Sequence, residues 1–406
     1  MKVLIIGSGG REHALAAALA KDSHEIFVAP GNAGIAREFS CPPLHSIGEV
    51  VSWCKENQPA FVLFGPEQPL ASGWVDILTE AGIPCVGPNQ VASRIESSKI
   101  FAKNLMVKHH IPTASCRYFN DSADAREYIL TQEVYPLVIK ADGLAAGKGV
   151  FVAQSKDEAL QAIDGIEGRI LVEAYIWGWE VSLFAVTDGN NFKTTLFAQD
   201  HKQLLDGDKG PNTGGMGAYC PVPEAEPYRA QIEKTIIGPT LKALRDEGCP
   251  YKGFLYCGLM ITSEGPKVLE FNCRLGDPET QVLLPLLQTS FTEVCQAVVE
   301  SRVEDLELAW SGMSSVGVVL ASKGYPGSYQ KGYPISFSHD LASLVRFGGV
   351  ASAKNGLVTS GGRVMALVGL GQDVAEARRK VYQDIELVKF EGKQYRGDIA
   401  LRKNVL

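Results

Sequence analysis

The chain has 406 residues, 45% hydrophobic and 21% charged, enough for two to four ordinary globular domains and too apolar for a disordered protein. Its 39 basic and 46 acidic residues leave a formal charge of −7, which excludes a general nucleic-acid binder, since that function needs a basic face. The apolar run in MKVLIIGSGG is too short for a signal peptide or a membrane span, and the nine cysteines stand singly with no C-x-x-C pair, so the expected setting is reducing and cytoplasmic.

In chain order, KVLIIG, EIFVAP, FVLFGP and PCVGP alternate with the helical stretches REHALAAALAKD, EVVSWCKEN and ASGWVDILTEAG. That series predicts a parallel sheet with helices on both faces, and ligands at the carboxyl ends of its strands, where GSGGRE, APGNAG and GPEQPL fall. IIGSGGREHALA approaches the dinucleotide pattern G-x-G-x-x-G, but Glu12 stands at the third glycine, which disfavours a dehydrogenase. Gly9, Gly10 and Arg11 still lie between a strand and a helix, where backbone N–H groups and a guanidinium suit a phosphate.

From about residue 103 an α+β unit follows, with helices at IFAKNLMVKHH, ADAREYILTQE and KDEALQAI. Inside it, VIKADGLAAGKGVFVA puts a glycine-rich tip between two β-branched runs and reads as strand, loop, strand. A Walker loop is excluded, because Asp142 stands five residues before Gly147 and Gly149 follows Lys148. Lys140 ends an apolar strand; with Lys99 and Lys148 it would clamp a polyphosphate. In RILVEAYIWGWEVSLF, Glu173 and Glu180 flank an aromatic stretch that reads either as a hinge or as an adenine slot, with backbone groups around Ala174 and Ile176 on the base edge and Glu180 on the ribose.

Residues 181–275 read mostly as strands, VSLFAVTDG, TTLFAQD, GFLYCGLMIT and PKVLEFN, with a long helix near 226–247. Glu270 and Asn272, two apart at the end of a strand, share a face and offer oxygen ligands to a hard cation whose remaining ligands the nucleotide supplies. QDHKQLLDGDKGPNTGGMGAY is too dense in charge and glycine for a spacer. After about 314, SSVGVVLASKGYP, GGRVMALVGLG and DVAEARRKVYQDIELVKF predict a small strand-rich domain closed by one helix.

GSGGREHALA, APGNAG, KADGLAAGKGV, DHK, GDKGPNTGGMGAY, GFLYCGLMI, EFNCRLGDPETQ and GGRV, in that order, resemble the phosphoribosylamine-glycine ligase (glycinamide ribonucleotide synthetase) family of ATP-grasp ligases. The resemblance spans the whole chain. It implies an α/β and α+β multidomain fold, with an N-terminal parallel α/β domain at 1–102, an ATP-grasp domain at 103–313 carrying a lid at about 112–178, and a C-terminal domain at 314–406. It also implies joining glycine to 5-phosphoribosylamine with ATP, through an acyl phosphate and with Mg²⁺ or Mn²⁺, in a monomer or else a homodimer with no nucleic-acid or membrane partner.

Carried over position by position, the resemblance gives ATP contacts to Lys99, Lys140, Gly147, Lys148, Glu173, Ala174, Ile176 and Glu180, and the metal to Glu270 and Asn272. Gly9, Gly10, Arg11, Glu12, Asp200, Lys202, Asn212, Thr213, Gly214, Gly215 and Arg274 would surround the acceptor substrates, with Arg274, Asp277 and Lys140 catalytic. Family members usually have two adjacent acids where this chain has Glu173-Ala174, and a longer insertion where it has IDGIEGR. The competing readings are a ligase of the same fold for another carboxylate or amine, and a nucleotide-binding regulator without turnover.

Overall fold

The alternation of apolar strands and helices at the N-terminus closes into one parallel sheet in the computed structural model, which describes residues 1–22, 24–144, 149–338 and 340–401. Its elements are β1 (Lys2–Gly7), α1 (Gly10–Ala20), β2 (Glu25–Pro30), α2 (Ile47–Asn57), β3 (Phe61–Phe64), α3 (Glu67–Ala71), α4 (Trp74–Glu80) and β4 (Cys85–Val86), and the strand order is β2-β1-β3-β4. All four residues of β3 and five of the six in β1 are buried, as helices on both faces require. Ser46 starts α2 with a capping box, its hydroxyl accepting from the Glu49 N–H while the Glu49 carboxylate accepts from the Ser46 N–H. The helix expected over 71–82 begins only at Trp74: Gly73 takes a left-handed φ of +76° at its N-cap, and α3 is a separate turn.

Helices α5 (Gln90–Ser97) and α6 (Lys99–Lys108) lead into the lid, made of β5 (Cys116–Phe119), α7 (Ser122–Leu130), β6 (Leu137–Ala141), β7 (Val150–Ala153), α8 (Lys156–Asp164) and β8 (Ile170–Ala174). Its antiparallel sheet runs β5-β8-β6-β7, and α7 and α8 bury Ile129, Ile139, Ile163 and Val172 in a core separate from the rest of the molecule. β6 and β7 pair from Leu137↔Ala153 to Lys140↔Val150, which is the expected strand-loop-strand.

The central sheet, in the order β10-β9-β15-β16, uses β9 (Trp179–Thr187) and β10 (Phe192–Thr194); the chain then runs through β11 (Gln199–Asp200), β12 (Gln203–Leu205), β13 (Lys209–Asn212), β14 (Gly217–Cys220), α9 (Arg229–Ile232) and α10 (Gly238–Asp246) to β15 (Gly253–Thr262) and β16 (Gly265–Asn272). The helix expected near 226–247 is present as an unbroken helical run from Arg229 to Asp246, preceded by a 3₁₀ turn that carries Pro227 and containing a π turn over Glu233–Ile237 just before Pro239. A wider turn before a proline accommodates the residue that lacks an N–H.

The remaining elements are α11 (Glu279–Leu283), α12 (Phe291–Val299), β17 (Ser314–Ser322), β18 (Ser336–Phe337), β19 (Leu344–Phe347), β20 (Val350–Ala353), β21 (Gly356–Thr359), β22 (Arg363–Gly371), α13 (Val374–Ile385), β23 (Val388–Lys389) and β24 (Lys393–Gln394). The last large sheet runs β11-β14-β17-β22-β19, with β24 on β17. Two of its strands therefore come from residues 199–220, which ties the charged loop between them to both the central and the C-terminal sheets.

Candidate active site

A cavity of about 930 Å³ opens between the lid hairpin, the face of β15 and β16, and the loops joining the three sheets. At one end, Lys140, the next-to-last residue of β6, reaches across to β16 and donates to the Leu269 carbonyl at 3.2 Å. Its ammonium lies 3.1 Å from Glu173 on β8, whose other oxygen is 3.3 Å from Lys103 on α6. All three side chains are buried, so one carboxylate balances two ammonium groups and the wall keeps a net positive charge. Lys99 stands at the start of α6 and donates to the Gly143 carbonyl at 2.8 Å. The root of the hairpin is fixed beside it, since Asp142 accepts from the Ile100 N–H and the Ser98 hydroxyl at the N-terminus of α6. Burial pulls Lys99 below the usual lysine range despite the nearby Glu270.

Glu270 and Asn272 both line this cavity from β16. Burial opposes ionisation at Glu270, but Lys202, Lys140, Lys99 and Arg274 outweigh it and hold the carboxyl below its ordinary range. A carboxylate kept ionised beside an amide is the oxygen donor set that Mg²⁺ or Mn²⁺ takes when phosphate and water complete its shell. Among the described residues no group of three or more His, Cys, Asp and Glu side chains converges as a self-sufficient metal site, so the nucleotide would have to complete it. Lys202 is 3.1 Å from Glu180 and 3.6 Å from Glu270, bridging the carboxylates assigned to ribose and metal. Those acids, with Tyr256 and Asp200, raise its pKa against the opposing effect of burial.

The other end of the cavity is lined by arginines already held in place. Arg274 donates to Glu67 at 3.0 Å and to Glu96 at 2.9 Å, and Arg363 donates to Asp277 Oδ2 at 2.8 Å and to the Gly214 carbonyl at 2.6 Å. Arg363 and Arg11 hold the Asp277 carboxyl below its usual range although burial works against them. A second pocket of about 220 Å³ adjoins this end, between Gly9 and Gly10 at the start of α1 and Arg346 and Arg363 from the C-terminal sheet. Arg346 is half-buried, no carboxylate among the described residues is within ion-pair distance of it although the charge of Glu38 acts on it from further away, and its Nε has no hydrogen-bond partner. Its strand is docked by the N-terminal loops: the Phe347 N–H donates to His13 Nδ1 at 3.0 Å, and Asn32 donates to the Phe347 and Gly348 carbonyls.

Most of the residues expected at the site meet in the large cavity: Lys99, Lys140, Glu173, Ala174, Ile176, Glu180, Asp200, Lys202, Asn212, Thr213, Gly214, Glu270, Asn272, Arg274, Asp277 and Arg11 all line it. Gly147 and Lys148 lie outside the described residues. Glu12 lines neither pocket: its carboxylate accepts from the Gly9 N–H and pairs with Arg11, which fixes the start of α1. Gly215 is at φ +108°, and a Cβ there would sit 2.4 Å from Pro278 Cδ, so it matters for the packing of its loop. Lys103, Glu67, Glu96, Arg346, Arg363 and Arg396 also line the two pockets. Of these, Glu67 stood in the loop GPEQPL and Arg363 in the block GGRV, but neither was given a role from the sequence.

Family models described as phosphoribosylglycinamide synthetase match three successive stretches of the chain: the N domain over residues 1–96, the ATP-grasp (A) domain over 97–280 and the C domain over 315–402. The phosphoribosylamine–glycine ligase of Neisseria meningitidis serogroup A is 44% identical over 422 residues, covering 98% of this chain and 99% of that one. The enzyme of the same name from Caldanaerobacter subterraneus subsp. tengcongensis is 44% identical over 415 residues, with the same coverage. The crystal structure of the phosphoribosylamine–glycine ligase from Thermotoga maritima superposes with a TM-score of 0.88 at 38% identity, covering 98% of this chain and 100% of that one. With three domain models matched in order and near-complete coverage at this identity, the chain belongs to the phosphoribosylglycinamide synthetase family of ATP-grasp ligases.

Proposed function

We propose that this cavity ligates glycine to 5-phosphoribosylamine at the expense of ATP, giving glycinamide ribonucleotide, ADP and phosphate in an early step of purine synthesis. The supporting observation is the polarity of the single cavity: the unbalanced lysines and Glu270 with Asn272 lie at one end, and the fixed arginines Arg274 and Arg363 lie at the other. In this reading ATP lies under the lid hairpin. Its phosphates meet Lys99 and Lys140, its ribose meets Glu180, and its base meets the backbone around Ala174 and Ile176. Glu270 and Asn272 would hold Mg²⁺ or Mn²⁺, which supplies charge neutralisation on the phosphates.

A glycine carboxylate oxygen attacks the γ-phosphorus and ADP leaves, giving glycyl phosphate. The amine of phosphoribosylamine then attacks the acyl carbon and inorganic phosphate departs, the amine proton leaving with it. No protein nucleophile is required. The chain's work is alignment, charge stabilisation by lysine and arginine, and exclusion of water from the acyl phosphate. The pocket of about 220 Å³ suits the 5-phosphate of the acceptor, because α1 presents its N-terminus there and Arg346 brings a positive charge that no contacting carboxylate neutralises.

Among the described residues no helix is long and apolar enough to cross a membrane, and all nine cysteines are free thiols. The free thiols accord with the cytoplasmic setting we propose for the chain, as a monomer or else a homodimer. The test is ADP release from purified protein with ATP, Mg²⁺, glycine and freshly generated phosphoribosylamine, each omitted in turn. ADP formation should require all four. Release that is indifferent to glycine, or equal with other amino acids, would overturn the assignment.

A further inference from the structure

β12 and β13 form a two-stranded hairpin that pairs with no third strand among the described residues, and its tip is exposed, with Leu205 beside it 54% accessible. A lone hairpin without an apolar face is marginal in water, so something else must hold this one in place. The segment after β24 does so. Arg396, 1% exposed, donates through Nε to Asp398 Oδ1 at 2.7 Å, through Nη2 to Asp398 Oδ2 at 2.8 Å and to Asp208 Oδ1 at 2.9 Å, and through Nη1 to the Gln203 carbonyl at 3.1 Å. Two backbone bonds run alongside: the Gly207 N–H donates to Asp398 Oδ2 and the Gly397 N–H to Asp206 Oδ1, both at 2.8 Å. The segment is itself moored to α13, where Arg378 donates to the Ile399 carbonyl and Tyr382 to the Arg396 carbonyl.

The hairpin leaves β13 at Asn212 and turns back at once onto the cavity wall, with the Thr213 N–H and hydroxyl both on the Lys202 carbonyl at 2.8 Å. Arg363 fixes the far side of that turn through Gly214, and Arg396 fixes the near side through the hairpin. We infer that Arg396 is a positioning residue for the acceptor half of the site: by strapping the C-terminal segment to residues 203–208, it sets the wall made by Asn212–Gly214. A planar fork with four bonds to three partners defines this geometry in a way a flexible ammonium does not. The inference rests on the reading of that wall as the acceptor side.

The test compares the wild-type chain with Arg396→Lys, Arg396→Ala and Asp206→Ala, the last removing one exposed cross-link. KM is measured separately for glycine and ATP, and backbone hydrogen exchange is followed over residues 203–213. Both Arg396 variants should raise the glycine KM at least tenfold and leave the ATP KM within twofold, and Asp206→Ala should raise the glycine KM severalfold. The Gly207 and Thr213 amides should lose protection while the lid sheet keeps its own. Folded variants with an unchanged glycine KM, or with equal rises for glycine and ATP, would overturn the inference, even if their melting temperatures fell. If Arg396→Ala does not fold, the Lys and Asp206→Ala variants decide by the same criteria. A wild-type chain without glycine-dependent turnover would instead refute the functional reading on which the inference stands.

Discussion

Glu173→Gln keeps the shape of the lid wall and removes one charge from between two buried lysines. At an effective dielectric of about 20, contacts of 3.1 and 3.3 Å each correspond to roughly 5 kcal/mol of attraction, part of which offsets the desolvation of the three ions. Removing one partner of a buried pair typically costs about 3–5 kcal/mol. An independent bound agrees: a lysine that sheds its proton at pH 7 to escape the site gives up at most about 4.6 kcal/mol, 1.36 for each unit below 10.4. For a domain of this size that loss lowers the melting midpoint on the order of ten degrees. Bound ATP brings negative charge to the same lysines. The midpoint gained on adding Mg²⁺-ATP should therefore be larger in the Gln variant than in the wild type. Differential scanning calorimetry with and without nucleotide measures both quantities. A drop of less than about two degrees without ATP, or an ATP-induced shift no larger than that of the wild type, would refute the reasoning.

Lys140→Met should cut kcat/KM for ATP by at least tenfold, since a charge-assisted hydrogen bond is worth about 1.5–3 kcal/mol; a value within twofold of the wild type would remove Lys140 from the phosphate site. Glu270→Gln should raise the Mg²⁺ concentration needed for half-maximal ADP release, chelator should abolish release in the wild type, and an unchanged Mg²⁺ titration would exclude Glu270 as a ligand. Burial, with Glu279, Glu180 and Glu270 nearby and Lys202 opposing, pushes the Asp200 carboxyl up to about 8. Between pH 4 and 8 folding must therefore take up a proton at Asp200, and the wild type loses stability as pH rises. The excess stability of Asp200→Asn in metal-free buffer should grow across that window and level off above it. A difference in melting temperature that does not change with pH would contradict this environment for Asp200.

The sequence carried those parts of the site whose residues sit at the ends of locally patterned strands. Lys140 and Glu270 terminate apolar runs, so both were visible as charges at strand ends, and β6 and β16 place them on the cavity. The hairpin was legible because alternation brackets a run of glycine and alanine. Charges whose partners are distant in sequence were not. Arg396 meets Asp208 188 residues away, and the strand of Arg346 is docked by His13 across 334 residues, so no local pattern records either contact. Lys103 read as one more charge on a helix, because the carboxylate that accounts for its burial arrives with β8. Helix limits failed where a single residue decides, at Gly73 with its left-handed φ and at Pro227 in its 3₁₀ turn.

The two ends of the cavity solve opposite electrostatic problems. At the end we assign to the acceptors, Arg274 is fixed by Glu67 and Glu96, and Arg363 by Asp277, so these two present oriented N–H groups without needing a ligand to order them. Pre-oriented donors cost no reorganisation during the reaction, which is where such groups contribute most to rate. At the end we assign to the nucleotide the charges are left unbalanced: Lys103 and Lys140 share Glu173, which leaves a positive excess, while Glu180 and Glu270 share Lys202, which leaves a negative one for a metal. That arrangement is stabilised when a polyanion and its metal arrive, so binding free energy there depends on ATP itself. The lid carries Lys140 and Glu173 on its own sheet, and Lys103 meets the same carboxylate from α6, so the excess charge sits where the lid faces the helix that leads into it. In the proposed reaction, closing over ATP and neutralising the lysines would be one event, and the acyl phosphate would form only in a site already sealed from water.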